Sequence, residues 1–347
     1  MSRLENLLGI DVPLVLGPFG GLSSVALTAA VSDGGGLGSF GLYGYTPERI
    51  HETVSQLRAA TARPVAVNLW LARGDEVRPV DLDLQPFLDA AAALFAAAGA
   101  DVPSAPSSFL PPIADQLAAV LAARPDVLSV VFGIPDADTL AAAKDRGIRV
   151  IGTATSVAEA VALEAAGVDA VVATGAEAGG HRVSFLREAS ASLVGTFALV
   201  PQVVDAVGIP VIAAGGIADR RGVAAAFALG AEGVQVGTAF LRTRQSAATV
   251  AHRHAISAAS DTETVLTRAM SGRLARGIPN RAMREIEASG MIAPFPAQNW
   301  LTGVFRAAAT ARGDGDLVSL WAGQAAGLSR FDDAADVLDE LRAGLPG

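Results

Sequence analysis

One pattern repeats in three consecutive segments, IRVIGTATSVAEAVALEAAG (148–167), VDAVVATGAEAGG (168–180) and IPVIAAGGIADRRGVAAAFALG (209–230). Each segment starts with a short β-branched run that is typical of a buried strand, and Ala- and Leu-rich helical sequence follows the first and third. The helical stretches end at Gly147, Gly167 and Gly230, where glycine suits a left-handed C-terminal cap. Repetition of this unit indicates a parallel sheet and favours a closed (β/α)8 barrel over an open one.

The same alternation of strand and helix extends along the whole chain. It predicts eight strands, at residues 12–16, 36–40, 65–69, 128–132, 149–153, 170–174, 210–213 and 233–236. Eight strands that alternate with helices are what a TIM barrel contains, so the predicted fold class is α/β with (β/α)8 architecture.

Two segments interrupt this alternation. Residues 73–112 combine a Pro- and Asp-rich loop with Ala-rich helical sequence, and their length predicts a rim or lid. Residues 244–312 have several Gly and Pro stops and no strand pattern, which predicts a mostly helical cap. We therefore assign residues 1–243 and 313–347 to the barrel and 244–312 to a substrate domain.

The composition excludes several classes of protein. The chain has 347 residues, 51% hydrophobic and 18% charged, which is enough apolar sequence for a large core and excludes disorder. It contains no cysteine, so disulfides, thiolate zinc sites and cysteine nucleophiles are excluded. The 26 basic and 35 acidic residues give a net charge of −9 without a basic run, so we expect no nucleic-acid partner.

Membrane, secretion and metal signals are also missing from the sequence. The longest strongly apolar stretch, residues 90–100, is about half of the ~20 residues that a membrane helix needs. The first residues, MSRLENLLGIDVP, lack the apolar core of a signal peptide, which predicts a cytoplasmic protein. No HxH or HExxH pattern lies at a strand end, so we expect no metal.

Glycine-rich loops follow the last two predicted strands of the barrel. Gly215 and Gly216 come after the seventh strand, and Gly237 and Thr238 come after the eighth. Barrel enzymes commonly bind phosphate at these two places, where glycine lets backbone N–H groups approach an anion and a threonine adds a hydroxyl. The pair of loops predicts a phosphate-bearing cofactor.

The loop after the sixth predicted strand carries the best candidate for a catalytic residue. Gly179 and Gly180 allow the backbone to lie flat against a planar ligand, and His181 follows them. Of the four histidines, only His181 lies on the predicted active face, so we interpret it as a general base with an ordinary pKa of about 6.5. Glu177 is a weaker candidate for a second acid, because a charged loop residue is ordinarily solvated.

Two amide side chains are candidates for contacts with a heterocyclic ring. Asn68 lies at the end of the third predicted strand, and Gln202 lies at the start of a helix. A buried amide offers both a donor and an acceptor, which suits an isoalloxazine ring, although either amide could instead cap a helix.

Several motifs together resemble those of the nitronate monooxygenases, formerly called 2-nitropropane dioxygenases. They are GAEAGGHR (175–182), LVPQVVDAVGIPVIAAGGIADRRG (199–222), LGAEGVQVGTAFL (229–241), SGRLARGIPNR (271–281), PFPAQN (294–299) and LWAGQA (320–325). The resemblance covers nearly the whole chain, is carried by the order and spacing of the motifs, and is closest to the class I group.

The resemblance implies an FMN-dependent TIM barrel with a helical substrate domain. It implies oxidation of alkyl nitronates, such as propionate 3-nitronate, with O2 through a flavin semiquinone, with His181 as catalytic base. The cofactor-binding residues that it implies are Pro18, Phe19, Gly20, Asn68, Thr153, Gly179, Gly180, Gln202, Gly215, Gly216, Gly237, Thr238 and Gln324. The expected partners are a small-molecule substrate and O2, and a homodimer is left open as the assembly.

The chain departs from the family pattern around the expected substrate. Phe19 stands where relatives commonly carry methionine, and the only tyrosines are Tyr43 and Tyr45. Phe109 and Trp300 occupy the expected lid and are the predicted substrate contacts. Such a pocket offers few hydroxyl donors to a nitro group, which leaves the natural substrate open.

Three other functions remain open from the sequence. An NAD(P)H-dependent FMN reductase, acting on a quinone or an enoyl substrate, would keep the fold and the cofactor. A phosphate-sugar isomerase or lyase would keep only the barrel. In a flavin-binding regulatory barrel, His181 would have no catalytic role.

Overall fold

The computed structural model describes residues 2–346. Its main sheet has eight parallel strands: β1 Leu14–Leu16, β2 Gly38–Gly41, β3 Val65–Trp70, β4 Val127–Val131, β5 Arg149–Ala154, β6 Ala170–Thr174, β8 Val211–Ala214 and β9 Gly233–Val236. The spatial order is β1-β9-β8-β6-β5-β4-β3-β2, and a parallel bridge between Val15 and Leu37 joins the two end strands. The predicted (β/α)8 barrel is confirmed, and each predicted strand agrees with the observed one to within two residues at either end.

Helices alternate with these strands and also form the cap. They are α1 Arg3–Leu8, α2 Val25–Asp33, α3 Pro47–Ala60, α4 Gln85–Ala90, α5 Ala92–Ala98, α6 Ile113–Ala123, α7 Ala137–Asp145, α8 Val157–Ala166, α9 Thr196–Ala206, α10 Arg220–Ala228, α11 Thr238–Leu241, α12 Val250–Ala258, α13 Arg281–Ser289, α14 Ala297–Ala311 and α15 Ala334–Arg342. Gly147, Gly167 and Gly230 follow α7, α8 and α10 with φ of 72°, 97° and 92°, the left-handed conformation that the sequence predicts there.

Side chains of the barrel strands alternate between two hydrophobic cores, as the pleat of a strand requires. Val15 and Val172 belong to the core inside the barrel, together with Leu4 of α1. Their neighbours Leu14 and Val171 belong to the core between the sheet and the surrounding helices. Since α1 packs at the amino-terminal end of the barrel, the carboxyl-terminal end is left for the cap and the site.

The two segments that interrupt the alternation share one hydrophobic core. Phe95 of α5 and Phe305 of α14 are both fully buried, and their rings meet edge to face with centroids 5.6 Å apart. Helices α4 and α5 of the first segment therefore pack with α12, α13 and α14 of the second in a single cap. The final helix, α15, packs on the barrel core, whereas Leu317, Val318 and Leu320, which precede it, pack in the core of the cap.

The cap also contains strands that the sequence pattern did not predict. β10 Val265–Thr267 and β11 Ala275–Gly277 pair antiparallel, and β11 pairs in turn with β7 Gly180–His181, which leaves the barrel after β6. Each of these strands has two or three residues, too few for an alternating hydrophobic pattern to show. Among residues 2–346, no helix is long and apolar enough to cross a membrane.

Candidate active site

A cavity of about 380 Å³ lies at the carboxyl-terminal ends of the barrel strands, under the cap. Twelve of the residues predicted from the sequence line it: Pro18, Phe19, Gly20, Asn68, Thr153, Gly179, Gly180, His181, Gly215, Gly216, Gly237 and Thr238. The cap side of the same cavity contributes Asn299, Arg306 and Trp321. The structure therefore brings the strand-end loops and the cap together around one space.

The loops after β8 and β9 form a cradle with little side-chain volume. Gly215 and Gly216 have φ of 99° and 73°, the region that only glycine adopts without strain. Gly237 is different, because its φ is −108° and an added Cβ would lie 3.5 Å from the Phe19 ring, an ordinary contact. The protein's own packing therefore does not require glycine at position 237, and the missing side chain leaves space in the cavity.

Polar groups of this cradle remain free to donate hydrogen bonds. The Oγ1 of Thr238 accepts a hydrogen bond from the Gly323 N–H at 3.0 Å, which leaves the hydroxyl proton for a ligand. Thr238 starts α11, and the first N–H groups of a helix have no partner within the helix. Backbone amides, a hydroxyl and the absence of bulk are what a phosphate group requires, so the cradle fits one.

The Gly179–Gly180 pair has a second role that the sequence did not reveal. A Cβ at Gly179 would lie 2.6 Å from backbone atoms of Ala322 and Gly323, so glycine is required for the close approach of the C-terminal segment. Gly180 has φ of 75° with open space around it. The pair both lines the cavity and lets the 322–323 backbone close it.

His181 is held by the cap rather than by the barrel sheet. It pairs with Ala275 of β11, and its ring lies 4.7 Å from the Trp70 ring and 5.3 Å from the Trp321 ring, centroid to centroid. The ring keeps some surface open to the cavity, but protein surrounds it. Burial, assisted by the positive charges of Arg273 and Arg306, lowers the pKa of His181 to about 3. The expected ordinary pKa is therefore wrong, and the imidazole is neutral at physiological pH.

A serine of the cap fixes the tautomer of His181. The Nε2 of His181 lies 2.7 Å from the Oγ of Ser271, which also accepts from the Arg273 N–H and donates to the Arg273 carbonyl. All these groups are satisfied when the Nε2 carries the proton and donates it to Ser271. The lone pair is then on Nδ1, which makes no hydrogen bond within residues 2–346.

Glu177 has a structural role in this arrangement. Both of its carboxylate oxygens accept from the Thr196 N–H at 2.9 Å, and Oε2 also accepts from the Thr196 hydroxyl. Thr196 is the first residue of α9, so the carboxylate caps that helix. We therefore do not assign Glu177 to acid chemistry.

The three predicted amides lie in different surroundings. Asn68 is buried and donates through Nδ2 to Ser129, while its Oδ1 accepts no hydrogen bond from the described residues and is free for a ligand. Gln202 is exposed and donates to Ala198 of its own helix, and Gln324 is exposed as well. Neither Gln202 nor Gln324 lines the cavity, because α9 turns the first outward and the segment after β11 presents Trp321 instead.

Long polar side chains of the cap form a network that the sequence analysis missed. The Nδ2 of Asn299 donates to the Tyr43 hydroxyl at 3.1 Å, and Arg306 donates to Asn299 Oδ1 at 2.8 Å and to Ser319 at 3.0 Å. Asn299 and Arg306 are seven residues apart on α14, which places them on one face of the helix. The spacing alone does not show that this face of the helix lines the cavity.

A second cavity, of about 220 Å³, adjoins the first and shares Tyr43 and Trp70 with it. Phe109 lines this second cavity, and its ring contacts the Trp300 ring with centroids 5.6 Å apart. Trp300 lines neither cavity, whereas Trp70 and Trp321 line the first. The tryptophans next to His181 are therefore Trp70 and Trp321, whereas the sequence predicted Trp300 as the substrate contact. Within residues 2–346, no group of three His, Asp or Glu side chains could hold a metal ion.

The chain is similar to known proteins along nearly its whole length. A family model described as nitronate monooxygenase matches residues 1–344. A protein named probable nitronate monooxygenase from Staphylococcus aureus (strain Newman) is 38% identical, with 98% of this chain and 96% of the relative covered. The solved nitroalkane oxidase from Streptomyces ansochromogenes is 34% identical with a TM-score of 0.87, covering 99% of this chain and 97% of that one. FabK from Thermotoga maritima is 32% identical with a TM-score of 0.76, covering 99% and 95%.

Proposed function

The chain belongs to the nitronate monooxygenase family of oxidoreductases, and from this premise we propose that it oxidises alkyl nitronates with O2, using FMN. The observation that carries the proposal is a single cavity lined both by the glycine cradle and by His181, which burial keeps neutral. Propionate 3-nitronate represents the proposed substrate class. The nitroalkane oxidase with a similar structure supports a nitro compound as the substrate.

The barrel side of the cavity is the proposed FMN site. In this proposal Gly215, Gly216, Gly237 and Thr238 hold the phosphate, and the amide of Asn68 meets an edge of the ring. The remaining residues on this side, which would contact the ring or the ribityl chain, are Pro18, Phe19, Gly20, Thr153, Gly179 and Gly180. Bound FMN supplies electron transfer from the substrate and reaction with O2.

His181 acts on the proton of the substrate. A neutral nitroalkane must lose its α-proton before it can be oxidised, and in this proposal the free lone pair on Nδ1 accepts that proton. A nitronate arrives without that proton, so His181 would only orient it. Trp70 and Trp321, whose rings both contact the imidazole, would exclude water from the reacting carbon.

The cap is the proposed substrate domain. Residues 244–312 supply Ser271, Asn299 and Arg306, whose contacts lie on the His181 side of the cavity. Phe109 lines the adjoining cavity, where it would contact the substrate's remaining carbon atoms. Trp300 would act only through Phe109.

A second candidate function is reduction of FMN by NAD(P)H. The similarity to FabK favours it, because the FabK structure covers 99% of this chain at 32% identity. Both functions would use the same cavity, and they differ in the compound that reduces the flavin.

One spectroscopic experiment distinguishes the two. The purified protein is expected to be yellow and to release FMN, and anaerobic propionate 3-nitronate should bleach it, whereas NADH should not. Release of FAD, or a colourless protein, would contradict the cofactor assignment. Rapid bleaching by NADH alone would select the reductase.

A further inference from the structure

We infer that Arg306 recognises the substrate as an anion by binding the negatively charged oxygens of the nitronate group. This inference rests on the proposed function and adds the residue that selects nitronates over neutral nitroalkanes. Arg306 lines the cavity from the cap side, on α14, opposite the strand-end loops.

The guanidinium of Arg306 is held only by neutral groups. Nη1 donates to the Ser319 hydroxyl, and Nη2 donates to the backbone oxygen and to Oδ1 of Asn299. These bonds use three of the five N–H donors of an arginine. The Nε is buried and has no partner among the described residues, and one Nη1 proton is also left over.

No carboxylate balances this charge within residues 2–346. The one group whose charge would favour the cation is Tyr43, but burial raises the pKa of that phenol above its usual value, so it is neutral. Burial lowers the pKa of Arg306 to about 10, which still leaves the guanidinium charged at pH 7. A buried cation without a counter-ion is costly, and an anionic ligand would offset that cost.

Arg273, a second arginine near the cavity, differs from Arg306 because carboxylates balance its charge. Arg273 stacks on the Phe295 ring and pairs with Asp75 and Glu76, and Asp75 also pairs with Arg73. Two cations thus face two carboxylates. Arg306 is the cation left over, and it lines the cavity.

The position of Arg306 points to the substrate rather than to a phosphate. Its charge helps to lower the pKa of His181, and its hydrogen-bonded network ends at Tyr43, which lines the wall between the two cavities. The glycine cradle after β8 and β9 already offers backbone amides to a phosphate. An anion at Arg306 would lie on the His181 side, where the reacting carbon is needed.

The test compares a nitronate with its neutral parent compound in flavin-loaded protein. For Arg306→Met, the KM for ethyl nitronate should rise about 10- to 100-fold, the loss typical of a charge-assisted hydrogen bond, while the KM for nitroethane should change less than about 3-fold. Arg306→Lys should keep most of the affinity for ethyl nitronate. Arg312→Met, at the end of the same helix and bonded to Ala97, is the matched control and should change neither constant.

Three results would overturn the inference. The first is an unchanged KM for ethyl nitronate in Arg306→Met, and the second is an equal rise in the KM values for ethyl nitronate and nitroethane. The third is a rise in the KM for propionate 3-nitronate alone, which would show that the guanidinium binds the carboxylate of that substrate. If the wild type does not oxidise ethyl nitronate, the proposed function fails. The dissociation constant of ethyl nitronate, measured from the fluorescence of Trp70 and Trp321, then still tests Arg306. Arg306→Met should raise that constant by the same factor.

Discussion

The two walls of the cavity are built from different parts of the polypeptide. The barrel wall presents backbone at Gly215, Gly216 and Gly237, with side chains such as Phe19 and Asn68 beside it. The cap wall presents long side chains, Asn299 and Arg306, fixed by hydrogen bonds to one another. Under the proposed function, the barrel wall would bind the cofactor, and the cap wall would bind the substrate and set the tautomer of His181.

The largest expected effect comes from a substitution in the barrel wall alone. Gly237→Val should abolish FMN binding, because the branched side chain fills the space that a phosphate needs, while the backbone at φ −108° tolerates it. The measurement is the ratio of flavin to protein after purification. Gly208→Val is the control, since an added Cβ there meets only the Glu164 carboxylate, at 3.4 Å, away from the cavity. Full flavin content in Gly237→Val would refute the phosphate assignment.

The next effect tests the residue between the two walls. His181→Asn should lower nitroalkane turnover by ~10²–10⁴-fold, the typical loss of a general base, and should lower nitronate turnover much less. Flavin content should stay full, because the cradle is untouched. A parallel loss with both substrates would show instead that His181 orients the substrate.

The dependence of nitroalkane turnover on pH should reflect the lowered pKa of His181. The base form is required, and it predominates above a pKa of about 3, so kcat/KM should be flat between about pH 5 and 8. Its acid limb should lie below that range. A limb near pH 6.5 that disappears in His181→Asn would show that the imidazole is more solvated than the structure has it.

A smaller effect tests the tautomer that the cap imposes. Ser271→Ala removes the acceptor of the Nε2 proton, so nitroalkane turnover should fall about 10-fold through loss of the reactive tautomer, with nitronate turnover nearly unchanged. Ser271→Thr, which keeps the hydroxyl, should restore part of the activity. Equal losses with both substrates would make Ser271 a packing residue only.

The last expected effect concerns the stability of the protein in acid and leaves the walls of the cavity unchanged. His252 on α12 is buried and bonded to the Trp321 carbonyl, and burial lowers its pKa from 6.5 to about 4. The unfolded state therefore binds the proton more readily, and stability of order a few kcal/mol, fully present above pH 6.5, is lost as the pH falls toward 4. Urea unfolding of His252→Gln should show a weaker loss over this range. The exposed His254→Gln should behave like wild type; an unchanged acid loss in His252→Gln would contradict this account.

The barrel wall could be predicted from the sequence because its signals are local. A β-branched run, a glycine cap and a Gly-Gly turn each act within a few residues, and these features located the eight strands, the cradle and His181. Asn68 could be predicted for the same reason, since it ends a strand. A barrel then brings all strand ends to one face.

The cap wall could not be predicted because its contacts join distant segments. Ser271 reaches His181 across 90 residues, and Asn299 reaches Tyr43 across 256. The C-terminal LWAGQA motif lines the cavity through Trp321, Gly323 and Ala325, but not through Gln324, the residue that the sequence predicted. Nothing in the local pattern of such a segment tells which of its side chains points inward.

Oxygen uptake by the flavin-loaded protein with propionate 3-nitronate, in the absence of NADH and NADPH, tests the central claim most directly. We predict sustained uptake over many turnovers, because the nitronate is the electron donor and O2 is the acceptor. Uptake that requires NADH or NADPH, with none from the nitronate alone, would contradict the account and assign this cavity to a nicotinamide-dependent reductase.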